Sequence, residues 1–277
     1  MLDLPRSARL AAWGSAVLDG RARAADAVRA VVRDDEPHAV GGGADAGLDG
    51  VGGPFAAVLD VPDLLTALER AGARGLRVVL PAPGDPSGLP GPAAFNADAL
   101  EAGEAVLVDG EVLLHAGPGH LGAVPAVEGF GSVLEPGTRV TWHLAATAPP
   151  RAPEATSLAD AERSLRTALA EATRALADLD VARWREDAAD RVAAVRDGGL
   201  PRDALPPGTD GRAARVAASA ARVRAVVALA VEDDGAAVSG YEAVARARSL
   251  RDVDAVARRA LAVAVNAARA SPRAEPR

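Results

Sequence analysis

Two aspartates and two histidines are the residues best placed to do chemistry in this chain. Asp60 closes a strand-like run, Phe55-Ala56-Ala57-Val58-Leu59, and Asp85 follows a second, Leu76 to Leu80. In an open parallel sheet, ligands bind beyond the carboxyl ends of the strands, which is where both carboxylates fall. Burial that splits two carboxyl pKa values makes one group an acid and the other a base. His115 and His120 bracket a turn and could converge with a carboxylate on a metal ion, because neutral imidazole and Asp or Glu are ordinary ligands.

Each of these residues also has a plainer use. Asp60 and Asp63 are well placed to cap a helix, and Asp85 is an ordinary turn residue before a proline. His115 and His120 belong to no helical metal-binding motif, so their spacing fixes no geometry. His38 and His143 complete the set of four histidines; His143, beside Trp142 on a strand-like run, reads as packed and satisfied. Asp34-Asp35-Glu36 and Glu232-Asp233-Asp234 read as solvated helix ends or turns.

Gly117-Pro118-Gly119-His120-Leu121-Gly122 matches the glycine pattern of a dinucleotide site. That pattern needs a helix whose first turn faces the pyrophosphate, and Pro125 and Gly129 stand where the helix would run. A turn cluster is the reading preferred, and no cofactor is expected. The chain is lysine-free and cysteine-free: all 31 basic residues are arginines. Schiff bases, a phosphate-loop lysine, thiol nucleophiles, disulfides and cysteine zinc sites are thereby excluded. No strand, Gly-x-Ser-x-Gly and helix sequence is present to form a hydrolase elbow.

Hydrophobic residues make up 49% of the 277, but aromatics only 3%, so the cores must be built from Ala, Val and Leu. Charge is uneven. Residues 1–150 hold 10 arginines against 19 acids and residues 151–277 hold 21 against 19, so the front half is acidic and repels phosphate backbones. Nucleic-acid binding is not expected. The 8 arginines among residues 241–277 suit helix carboxyl ends. No apolar run is long enough for a membrane span, and the first residues lack a signal-peptide pattern, so a cytoplasmic protein is expected.

The elements that must position these groups fall into two halves. An α/β (or α+β) domain with a small mixed sheet is expected over 1–148, followed by a proline-rich linker at 149–153, an all-α helical bundle over 154–270 and a frayed tail at 271–277. The first 35 residues read as two short helices. A glycine-rich loop spans 41–54, with seven glycines. Phe55 to Leu80 reads as a strand, helix and parallel strand, and Ala93 to Ala102 as a helix. Val106-Leu107-Val108 and Val112-Leu113-Leu114 flank Asp109-Gly110 as a hairpin would. Glycine- and proline-rich chain follows to Gly137, and Thr138 to Thr147 alternates as a strand.

Ser157 with Asp160 forms a capping signature before a leucine stripe from Leu158 to Leu179. Further helices are expected over 182–196, 212–231, 238–248 and 253–270. With no reactive centre legible, the leading expectation is a non-catalytic protein-binding or scaffold protein. It would take a partner, or a second copy of itself, through the 154–270 helices, with Trp184 and Tyr241 as anchors or core residues. The rival is a small-molecule-binding enzyme, hydrolysis included, in which Asp60, Asp85, His115 and His120 converge at the sheet's loops.

Overall fold

The computed structural model of the chain describes residues 2–41, 55, 58–132, 134–150, 156–178, 195, 197–232 and 240–268. They divide into two compact units: one holds residues 5–150 and 205–209, the other 2–4, 156–178, 195, 197–204, 210–232 and 240–268. The expected loop at 42–54, the linker residues 151–153, the 182–194 helix with Trp184 and the 271–277 tail lie outside the described residues.

The first unit is a mixed sheet with helices on both faces. Helix α1 (Arg6–Leu18) is buried on every side from Ser7 to Ala16, and helix α2 (Ala24–Val32) follows it. The sheet runs β1 (Ala39–Gly41), β6 (Pro136–Thr147), β5 (Gly117–Gly131), β3 (Ala105–Val108) and β2 (Leu76–Val79), and β4 (Val112–Leu114) pairs β5 apart from this path. Among the described residues only β1 and β6 pair parallel. Strand alternation sorts the core. Val106, Val108, Leu121 and Leu144 face Leu10 of α1 and Leu64 and Leu68 of helix α3 (Val61–Arg70) around an apolar cavity of about 10 Å³. Leu107, Ala105 and Val124 pack on the other face against Phe95 and Ala99 of helix α4 (Ala93–Ala102). A strand buried on both faces reads as a continuous apolar run, which is why Ala105-Val106-Leu107-Val108 shows no alternation.

Ser15, fully buried on α1, pins that helix to the sheet. Its hydroxyl donates to the Leu76 carbonyl at 3.0 Å and accepts from the Leu76 N–H at 2.8 Å. The first turn of α1 has no side-chain cap of its own; instead the Glu104 carboxylate accepts from the Ser7 N–H at 2.7 Å.

Three expectations for this half are corrected. Of the strand, helix and parallel strand expected over 55–80, the helix forms as α3 and the second strand as β2, but β2 pairs antiparallel to β3, and where the first strand should end Asp60 makes an isolated bridge to Ala39. The Asp109-Gly110 hairpin is not formed either. Asp109 turns back on the entry to β2, with its carboxylate 2.9 Å from Arg77 and its N–H bonded to the Gly75 carbonyl, while Gly110 adopts φ 86°. The tight hairpin lies one strand later, between β4 and β5 at His115-Ala116. Finally, the glycine- and proline-rich stretch is strand β5, not a turn cluster: twelve paired positions with β6 override its poor intrinsic propensity. At its far end the Phe130 ring lies over Gly137, and the Arg139 guanidinium sits 5.5 Å from that ring.

The second unit is helical. Ser157 accepts from the Asp160 N–H at 3.1 Å and opens helix α5 (Leu158–Asp178); Asp210 likewise accepts from Ala213 and opens helix α6 (Gly211–Glu232). Helix α7 (Gly240–Ala267) packs against both. Small residues take a large part in the core: Ala213, Ala217 and Ala220 on α6 and Ala257, Ala260 and Ala264 on α7 are buried, together with Val216, Leu261 and Val265. Residues 240–267 form one helix where two were expected, because Ser249 to Asp252 holds no glycine or proline to break it. Leu2 joins this unit through its N–H bond to the Gly199 carbonyl.

Candidate functional site

The four residues expected to converge occupy separate places. Asp60 caps α3, accepting from the Asp63 N–H at 2.9 Å while Asp63 accepts from the Leu59 N–H at 3.2 Å. Its bridge to Ala39 places it beside β1, at one edge of the sheet. Asp85 closes a turn with Ala82 beyond β2, at the opposite edge, and accepts from the Ser87 hydroxyl at 2.5 Å. His115 is exposed in the β4–β5 turn, and His120 lies on β5 opposite Thr147. Among the described residues no group of three or more His, Asp or Glu side chains is placed to hold a metal ion.

The polar cluster the fold does build is centred on His38, just before β1. The ring is 1% exposed, and both nitrogens are engaged. Trp142 of β6 donates its indole N–H to Nδ1 at 3.2 Å, so Nδ1 carries no proton; Nε2 then bears it and donates to Asp35 Oδ2 at 3.2 Å. Asp35 is itself gripped by Arg6 of α1, whose Nε and Nη2 donate at 2.9 and 2.8 Å to its two oxygens. A second α1 arginine, Arg9, 3% exposed, lies 3.7 Å from the same carboxylate. Arg33, at φ 54°, ends α2 and turns the chain so that Asp35 meets α1.

The electrostatics follow from this packing. Burial pushes the His38 ring down; Asp35 pulls it up through a hydrogen bond and its charge, Arg9 and Arg6 oppose that pull, and the net is downward. Burial raises the Asp35 carboxyl, but hydrogen bonds from Arg6 and His38 and the charge of Arg6 outweigh it and hold it below the usual carboxylate range. The cluster therefore contains a neutral histidine and an ionised aspartate at neutral pH. Asp35 is not the solvated turn residue the sequence suggested.

On the other face of the sheet, His120 Nδ1 and Thr147 Oγ1 are buried without hydrogen-bond partners, on residues directly opposite one another. Gly122 is next on that face. A Cβ there would lie 2.6 Å from the Phe95 ring, so only glycine lets α4 approach.

Sequence reasoning missed Asp35, His38 and Trp142 as a group. The i, i+3 spacing of Asp35 and His38 was the local signal; the partners Arg6 and Trp142 lie 29 and 104 residues away from them.

No curated protein and no solved structure matches the chain. Two family models do: the Rv1486c-like protein N-terminal domain over residues 7–157, and the Rv1486c-like protein C-terminal domain over residues 159–262. With the first alone covering more than half its length, the chain belongs to the Rv1486c-like protein family, in its two-domain form.

Proposed function

We propose that this is a non-catalytic protein-binding or scaffold protein acting through its helical half. The observation that carries this reading is a pair of valines at the junction of α6 and α7. Val231 and Val244 are 65% and 67% exposed, and the Arg246 guanidinium reaches the Ala230 carbonyl at 2.8 Å, which ties the end of α6 to the start of α7. Burying both valines against a partner removes apolar surface from water without disturbing the alanine-lined interior. The acids and histidines of the α/β unit support the reading indirectly, since His38, Asp35 and Asp60 are spent on internal bonds.

Light scattering of the full chain at micromolar concentration, with pull-down from lysate, tests this. The expected result is a stable assembly or a recovered partner that is lost when Val231→Arg and Val244→Arg are combined. A monomer that recovers no partner overturns it.

A small-molecule-binding reading has one observation in its favour, the unpartnered His120 Nδ1 and Thr147 Oγ1. A ligand bound there would shift both side-chain NMR signals.

A further inference from the structure

We propose that His38 is a proton-operated latch that holds β1 against β6 near neutral pH and releases it on acidification. This goes beyond the partner-binding reading and does not depend on it.

The geometry gives the latch its direction. The single lone pair of the neutral ring points at the Trp142 indole N–H. Protonation of Nδ1 converts that acceptor into a donor, so two N–H groups face each other across a contact that was a hydrogen bond. The same proton puts a positive charge on a ring buried beside Arg6 and Arg9. One group favours the cation, Asp35, and it sits on the same connecting segment as His38. These are the charged groups that face the ring: Asp35 from its own segment, Arg6 and Arg9 from α1, while β6 presents only the neutral indole. Protonation thus keeps the ring bound to Asp35 while expelling it from Trp142.

β1 is the element that moves. Among the described residues it is a three-residue strand paired to β6 at Ala39, Val40 and Gly41, with Glu36 N–H bonded to the Thr138 carbonyl, Val40 N–H bonded to the Leu59 carbonyl and the His38–Trp142 bond as the side-chain tie between this segment and β6.

The sign follows from the lowered pKa. An unfolded or unlatched His38 titrates near 6.5 and the latched ring below it, so latch stability is complete above that value and is lost as pH falls through the depressed pKa. The hydrogen bonds from Arg6 and His38 and the charge of Arg6 hold the Asp35 carboxyl below its usual range, which keeps it an anion beside the ring near neutral pH.

The test follows the Trp142 indole N–H by ¹H–¹⁵N NMR in the full chain from about pH 8 to about pH 4.5, a range that spans ordinary histidine titration. The signal is identified by its loss in Trp142→Phe. It should hold above pH 6.5 and move toward a free-indole position below it, with far-UV circular dichroism unchanged. In His38→Asn, which keeps an acceptor oxygen and cannot titrate, it should not move. Identical movement in His38→Asn, or no movement before the whole chain unfolds, overturns the latch. If that variant fails to fold, the wild-type ring decides through its own ¹⁵N signals. Ring protonation coincident with the Trp142 step supports the latch, and protonation without that step overturns it.

Discussion

The two units set the same two residue types, arginine and acid, to different work. In the α/β unit Asp35 is shielded among Arg6, Arg9 and a buried histidine, and the cluster ties α1, the α2–β1 connection and β6 together. In the helical unit Glu162 pairs with Arg166 and Arg212 at the surface, the buried Arg258 is held by Asp254 one turn away, and the rest of the interior is alanine with valine and leucine. The difference shows where each unit stores its specificity. The sheet unit joins α1, the α2–β1 connection and β6 by polar bonds, whereas the helical unit relies more on apolar packing between helices, with the Asp254 pairs to Arg224 and Arg258 added.

Asp35→Asn should cut deepest into this contrast. The amide keeps the shape of the carboxyl but removes the negative charge from beside Arg6, Arg9 and His38, a change expected to cost about 3 kcal/mol. The urea midpoint reported by tryptophan fluorescence measures it, and a midpoint equal to wild type would place the sheet unit's specificity elsewhere. Ala257→Leu comes next. Ala257 is fully buried on α7, and forcing three more carbons into that contact should cost about 2 kcal/mol. Loss of helical circular dichroism in urea measures it; an unchanged midpoint would mean the helices are loosely packed. Glu162→Gln should do least. The Arg212 hydrogen bond holds this carboxyl below its usual range, yet the pair is solvated, so no measurable change in midpoint is expected. A loss as large as that of Asp35→Asn would erase the distinction between the units.

The helices were legible because their signals are local. Leu64, Leu65 and Leu68 fall on one face of α3, and Ser157 with Asp160 marks the start of α5 within four residues. Strand pairing was not legible, because it is decided by segments far apart in sequence. Asp109-Gly110 carries a strong hairpin signal, but the Arg77 and Gly75 contacts turned it to another purpose. β5 was invisible by composition, since glycine and proline mark loops unless a long partner strand supplies the hydrogen bonds. The His38 cluster escaped for a related reason: its parts come from α1, the α2–β1 connection and β6, and only the fold brings them together.

The Ser15 hydroxyl on α1 bears on the fate of β2, the last strand at its end of the sheet. An unpaired sheet edge is a template on which a second chain can lay a strand and seed insoluble fibres. By answering both the N–H and the C=O of Leu76 with one side chain, Ser15 occupies, at the first residue of β2, the backbone groups an incoming strand would need.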